Sequence, residues 1–279
     1  MTSMERVLTT LSHKEPDRAP LALLLTMHGA KELGLDIRGY FSKAENIVEG
    51  QLRLLAKYRH DCIYTFLYAP LELEAFGGEA LFFDDGPPNA GQPIITDLNN
   101  IKNLSVPDVQ TQPCLLKTLT ATALLKEKVG DETPLVGVVM SPFSLPVMQL
   151  GFEKYLTLLH EQKDLFTLLM RVNQEFCVAW ANAQLKAGAT AICYFDPLSS
   201  PTMLPKELGD LGRSIAKETF ARIHGATLTH FASGRCLPVV AETIALGTAA
   251  ICVSALEDLA EVKAACAGKV AVIGNLNGI

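Results

Sequence analysis

The chain has 279 residues, 49% of them hydrophobic and 19% charged, with a formal net charge of −6 and a pI near 5.6. That composition excludes a disordered tail or a disulfide-stapled miniprotein, and the acidic balance argues against a nucleic-acid partner, which needs a basic face. No apolar run approaches the roughly 18–20 residues of a membrane-spanning helix, and residues 1–6 lack the basic start and apolar stretch of a signal peptide, so no membrane partner is expected.

In chain order, the first predicted element is a helix opened by Thr2, with Glu5 at capping-box spacing. A strand follows over 20–26, then a helix opened by Ser42 and Glu45, which carries Ile47, Val48, Leu52 and Leu55 on one face and ends near His60. A second strand is predicted over 62–67, and the stretch 82–96 reads as a hairpin inserted behind it. Pro113 suits the first turn of a helix running to about Gly130. The strand 135–140 precedes a helix over 164–187, where Leu165, Leu168, Leu169, Val172, Phe176 and Ala179 keep helical spacing. Strands over 191–195, 226–231, 249–253 and 270–273 complete the series, with helices over 207–222 and 256–266 between them. The strands are mostly continuous apolar runs, as expected of parallel strands covered on both faces.

Alternating strands and helices mean an α/β fold, either a closed barrel or an open doubly wound sheet. The chain has no Gly-x-Gly-x-x-Gly after its first strand and no Gly-x-x-x-x-Gly-Lys-Ser/Thr, which removes the usual nucleotide signatures of open sheets. Polar residues gather after strand ends instead, as barrel active sites require: His28, Glu72 and Glu74, Ser141 and Ser144, Asp196 with Ser199 and Ser200, His230 with Ser233 and Arg235, and Asn275. Seven strands are visible where such a barrel has eight, and the sequence stops at Gly278-Ile279, directly after a strand. The expectation is therefore a (β/α)8 TIM-type barrel lacking its last strand and helix, one domain over residues 1–279. Seven cysteines without paired spacing, Cys193 and Cys252 among them within apolar runs, predict reduced thiols in a cytoplasmic protein.

Met4-Glu5-Arg6-Val7-Leu8 followed by His13-Lys14-Glu15-Pro16-Asp17-Arg18-Ala19-Pro20 is similar to the opening of the uroporphyrinogen decarboxylase superfamily. Ala187-Gly188-Ala189 before Asp196-Pro197 and Ser199-Ser200-Pro201, then Thr229-His230 and Gly274-Asn275-Leu276, resemble its later landmarks in the same order. The superfamily comprises tetrapyrrole decarboxylases and cobalamin-dependent methyltransferases. Decarboxylases carry arginines at the first strand's end and an aspartate after the second. Here Leu24-Leu25-Thr26-Met27-His28-Gly29-Ala30 has no arginine, and Thr65-Phe66-Leu67-Tyr68-Ala69-Pro70 has no aspartate. Leu67-Tyr68-Ala69 through Glu74-Ala75-Phe76-Gly77 looks like the methyltransferase loop.

The resemblance implies methyl transfer from methylcobalamin or another methylated corrinoid, carried by a corrinoid protein, to a small thiol or related nucleophile. It assigns Asp196 and Glu74 catalytic roles, and places His28, Tyr68, Tyr194 and Asn275 around the corrinoid and acceptor. It implies zinc, which activates the thiol and is held by a His-x-Cys pair and a later cysteine. His230 occupies the first position and Cys236 lies close by, but Ala232 replaces the expected middle ligand. Each residue also has a plainer reading: Asp196 as a turn former before proline, Glu74 as a helix-surface carboxylate, Cys236 as a buried filler, the tyrosines as wall residues, Asn275 as a turn residue. Two rivals stay open, tetrapyrrole decarboxylation and a corrinoid- or tetrapyrrole-binding protein without chemistry.

Overall fold

The structure is a computed structural model that describes residues 1–84 and 86–276. Six parallel strands form the main sheet: β1 Ile63–Tyr64, β4 Leu135–Met140, β5 Ala191–Phe195, β6 Ala226–His230, β7 Ala250–Cys252 and β8 Ala271–Ile273, in that spatial order. Two further strands, β2 Ala80–Phe83 and β3 Gly86–Ala90, make the antiparallel hairpin expected behind β1, starting two residues earlier than the sequence suggests. Asp85 and the terminal Asn277-Gly278-Ile279 lie outside the described residues.

The sheet curls. Val136, Val138, Cys193, Leu228, Ala250 and Ala271 share one apolar cluster with Cys62 and Tyr64 of the opposite side. Tyr64 on β1 and Cys252 on β7 stand four strands apart, about 19 Å in a flat sheet. Yet the Tyr64 hydroxyl, pushed up by burial, also feels the Cys252, Cys193 and Cys62 thiols. The intervening residues Leu135, Val139, Ile192 and Tyr194 face the other way and pack with the helices Ala44–Tyr58, Pro113–Val129 and Lys163–Lys186. Period-two alternation thus sorts each strand between an inner and a helix-covered face, the arrangement of a curled, TIM-like half-barrel.

Two strands are shorter than their apolar runs. Of the predicted first strand only the bridge Ala22–Cys62 forms. Its second half gives the Leu25 and Thr26 carbonyls to the Gln51 amide at 3.0 and 3.2 Å rather than to a ladder. Among the described residues β8 pairs with β7 alone, so the sheet is open between β8 and the Ala22 bridge. The run 62–67 is strand only over Ile63–Tyr64, because the chain peels away from β4 after Thr65 donates to the Val136 carbonyl at 2.9 Å. That leaves the Val138 amide and carbonyl and the Met140 amide facing β1 with no strand beside them. Gln184 from helix Lys163–Lys186 takes both Val138 groups, at 3.1 and 3.0 Å, and Glu72 accepts from Met140 at 2.8 Å. Buried backbone groups must find partners, and here side chains supply them.

The helix ends divide in the same way. Thr2 and Glu5 form a complete capping box. Ser42 and Glu45 do not: the cap position is Lys43, and the Ser42 hydroxyl turns back to donate to the Gly39 carbonyl at 2.7 Å. Pro113 opens helix Pro113–Val129 as expected, and the last helix begins at Leu259 behind an Asp258 cap rather than at Leu256. At the opposite end of the sheet, buried Asp61 accepts from Arg6, Arg18, Ser3 and the Leu21 amide, pinning the N-terminal helix beneath the barrel. All seven cysteines are free and buried.

Candidate functional site

In-register pairing aligns Met140, Phe195, His230, Cys252 and Ile273 side by side at the C-terminal ends of β4 to β8. By alternation they share the inner face with Val138, Cys193, Leu228, Ala250 and Ala271, two residues earlier on each strand. The rim is therefore apolar except for one imidazole. His230 rests against the Phe195 ring, centroids 4.8 Å apart. Its Nδ1 accepts from the Ala232 amide at 2.8 Å, and burial alone pushes its pKa down to about 4, so the ring is neutral at pH 7.

Asp196 follows β5 and is 2% exposed. Its amide donates to the His230 carbonyl at 2.8 Å, and its Oδ1 accepts from the Ser141 and Ser144 hydroxyls at 2.6 and 2.7 Å. Burial raises its pKa, opposed by the hydrogen bonds from Ser141 and Ser144. These contacts tie the loop after β4 to the loop after β5, and the carboxylate is enclosed by them. Asn275, behind β8, likewise spends its amide on the Ser254 and Glu257 carbonyls at 3.3 and 2.9 Å, binding the β8 end to the β7 loop.

Glu74 and Tyr68 meet each other: the Tyr68 hydroxyl donates to Glu74 at 2.6 Å, edge-on to Phe41 and Phe82. Tyr68 also lines a cleft of about 10 Å³, room for about one water, where the chain peels from β4. Phe66, Met140, Phe195, Trp180 and Glu72 share that cleft. Through Phe195 it adjoins the His230 rim. Two predicted corrinoid-site residues lie elsewhere. Tyr194 points into the helix-covered layer against Phe220, away from the inner face, because its place in β5 has the opposite parity to Phe195. His28 opens the short helix His28–Leu33, is exposed, and hydrogen-bonds to none of the other site residues.

Two acids carry more than the sequence suggests. Glu72 stands two residues before Glu74 on helix Leu71–Ala75, and the turn aims it inward while Glu74 stays half-buried. Burial raises the Glu72 pKa to about 8, against one hydrogen bond from Met140, so it carries a proton at neutral pH. Its Oε2 and Trp180 Nε1 are both buried without a partner on the wall of the same cleft. Glu257 accepts from the Cys236 amide and, at 3.0 Å, from the Leu237 amide, fixing the loop behind His230. The acidic repeat Glu72–Glu74 was visible in the sequence; its inward member was not.

The residues do not fit the zinc site that the resemblance implies. Position 232 has no donor atom. Cys236 is 0% exposed in an apolar cluster with Phe231, Val239, Ile251 and Val262, and burial, with Glu257 nearby, pushes its thiol up to about 12. His230 already uses Nδ1 as an acceptor. Among the described residues no three His, Cys, Asp or Glu side chains converge as a metal site would require. Of the two residues expected to hold a metal, His230 belongs to the rim and Cys236 to the core beneath it.

The family model for uroporphyrinogen decarboxylase (URO-D) matches residues 2–279. A methylcobamide:CoM methyltransferase of Methanosarcina barkeri is 26% identical over 286 residues, covering 99% of this chain and 83% of the relative. A uroporphyrinogen decarboxylase of Xylella fastidiosa is also 26% identical, over 298 residues, 99% of this chain and 82% of the relative. A solved methyltransferase from Methanosarcina mazei superposes with a TM-score of 0.90 at 18% identity, over 99% of this chain and 83% of that one. Equal identity to two activities leaves the choice between them to the rim. No helix among the described residues is long and apolar enough to cross a membrane.

Proposed function

The chain belongs to the uroporphyrinogen decarboxylase (URO-D) family, and from that premise we propose that it transfers a methyl group from a methylated corrinoid, presented by a partner protein, to a small nucleophile at the barrel rim. The observation that carries this reading is the composition of the rim: Met140, Phe195, Cys252 and Ile273 around a single neutral histidine, with no cation among the five positions. A polycarboxylate macrocycle needs guanidinium or ammonium groups to replace its lost hydration. A methyl group moving between two partners needs a dry, apolar wall instead.

The loops beyond the rim support a broad apolar partner. Leu276 after β8 is 86% exposed and Leu256 after β7 70%, and Met203 also stands in water on the loop that follows β5. Exposed apolar side chains gathered at one end of a fold mark a binding surface. The similarity to methylcobamide:CoM methyltransferases agrees with this reading. When bound, the corrinoid supplies the methyl carbon and keeps the electron pair of the broken cobalt–carbon bond, while the acceptor's lone pair makes the new bond.

The chain's own part is positioning. Phe195 and Met140 exclude water from the acceptor, His230 offers it a polar contact, and Asp196 and Asn275 hold the loops that carry these groups. Glu74 orients Tyr68 at the mouth of the cleft. Titrating the protein with methylcobalamin and small thiols while following the cobalt absorbance tests the proposal. Demethylation that requires the thiol is expected. Decarboxylation of a tetrapyrrole carboxylate without demethylation would replace this reading with the other family activity. A spectral change without turnover would make the chain a binding protein.

A further inference from the structure

The backbone at Ala232 holds the His230 imidazole in one tautomer. Ala232 has φ +54°, the left-handed region that a residue with a Cβ adopts at a cost of about 1–2 kcal/mol. That conformation turns its amide back onto His230 Nδ1 at 2.8 Å, and the Gly234 amide closes the turn on the Phe231 carbonyl at 2.9 Å. An amide N–H is a donor only, so Nδ1 must be the bare nitrogen. A neutral imidazole then carries its proton on Nε2. Flipping the ring would put a carbon against the amide and leave a donor unpaired. The half-buried ring makes its one hydrogen bond among the described residues through Nδ1, which leaves Nε2–H open to a ligand or to water.

A metal-bound histidine has the opposite polarity: one nitrogen bare toward the metal, the other donating to a carbonyl or carboxylate. Here the second partner is a donor, and it cannot become an acceptor. Ligation through Nε2 would need an imidazolate, and ligation through Nδ1 would break the Ala232 bond. Where a His-x-Cys pair offers two ligands, residues 230–232 offer one self-satisfied ring with an N–H left over.

We propose that the acceptor pocket of this chain works without a metal and that His230 serves it as a neutral hydrogen-bond donor through Nε2–H. The ligand class this fits is a small molecule with an available lone pair at the reacting end, an anionic sulfur or oxygen, held by Nε2–H at the edge of the stacked His230 and Phe195 rings. The pocket's use for methyl transfer rests on the function proposed above; the tautomer and the absence of metal affinity do not.

The test uses chelator-treated full-length protein labelled with ¹⁵N. Long-range proton–nitrogen spectra of His230 should show the proton on Nε2 and a bare Nδ1, unchanged on adding one equivalent of Zn²⁺ alone. Isothermal titration with Zn²⁺ should show no stoichiometric site. A proton on Nδ1, or stoichiometric zinc that shifts the His230 signals and is lost in His230→Gln, would overturn the proposal. In the methyl-transfer assay, excess chelator should change the rate by less than about twofold. His230→Ala should raise KM for the acceptor about fivefold to tenfold, the worth of one hydrogen bond, with kcat little changed, and His230→Gln, which keeps a donor, should recover most of that loss. If no methyl transfer occurs under any condition, the functional reading fails while the spectra and the zinc titration still decide this one.

Discussion

The two halves of the sheet's C-terminal edge solve the problem of buried polarity in opposite directions. Beside β4, side chains serve the backbone: Gln184 and Glu72 occupy the Val138 and Met140 groups that β1 abandons. Behind β6, the backbone serves side chains: the Ala232 amide orients His230, and the Cys236 and Leu237 amides hold Glu257. Gln184 commits both polar atoms to the broken ladder, and Glu72 commits one while its other oxygen stays enclosed in the wall. His230, held by the backbone at Nδ1, keeps Nε2–H available at the half-buried rim, so the His230 edge is where a ligand can reach a donor.

Glu72 tests the first half most severely, because its proton is part of the wall. Its folded pKa of about 8 lies above the unfolded 4.5, so between those values the folded state keeps a proton the unfolded chain has lost. Stability from this group is complete below about pH 4.5 and is lost as pH rises through 8. At 1.36 kcal/mol per unit the loss between pH 5 and 9 is on the order of 4 kcal/mol. Glu72→Gln keeps the acceptor for Met140 and has no proton to lose. Urea midpoints should therefore fall with pH in the wild type and stay nearly level in the variant. Parallel profiles would mean that Glu72 ionises without cost and that the wall is wetter than its geometry implies.

Gln184→Leu should come next. It strands one amide and one carbonyl of Val138 in the core, each costing about 1–3 kcal/mol, for a total of about 2–6 kcal/mol in the free energy of urea unfolding. Acceptor KM measured on the folded fraction should not move. A change in KM with full stability would break the comparison, since it would give a ladder-completing residue a share in binding.

The sequence made the repeating strands legible because both-face burial writes them as unbroken apolar runs: six of the seven runs carry strands of the main sheet, while the run 20–26 contributes only the Ala22 bridge. It hid where pairing stops: nothing in Thr65-Phe66-Leu67 distinguishes it from strand, and only the placement of Gln184 and Glu72 shows that β4 lacks a neighbour there. His230 was legible at its strand end. Tyr194 was misplaced because a period-two pattern needs the register, and one residue of shift exchanges the inner face for the helix layer. Cys236 stands close to His230 in sequence, but closeness does not reveal that it faces Phe231 and Val262 beneath the rim.

Asp196 lies between the two halves and decides how sharp the division is. Its Oδ1 accepts from two serine hydroxyls, as an asparagine carbonyl also would. Asp196→Asn should cost about 1–2 kcal/mol in stability and change kcat by less than about fivefold if the residue only braces its loop. A loss of a hundredfold or more with stability retained would move Asp196 to the substrate side and make its charge part of the reaction.

The smallest effect concerns the turn that sets the His230 tautomer. Ala232 holds φ +54° because its amide has a partner there, and a Cβ in that region costs about 1–2 kcal/mol. Ala232→Gly removes the Cβ penalty while keeping the amide and its bond to Nδ1. The unfolded chain gains freedom worth about 0.4–1 kcal/mol, which offsets part of the relief. The balance is a gain of about 0.5 kcal/mol, a rise in Tm of about 1–2 °C for a chain of this size. The His230 tautomer should be unchanged by NMR. A fall in Tm would show that residue 232 is relaxed in solution and that its amide turns elsewhere, and the bare nitrogen at Nδ1 would lose the amide contact that fixes it. A rise in Tm with the tautomer kept would show that the rim tolerates a strained residue for the orientation of one ring, which no residue beside β4 is asked to do.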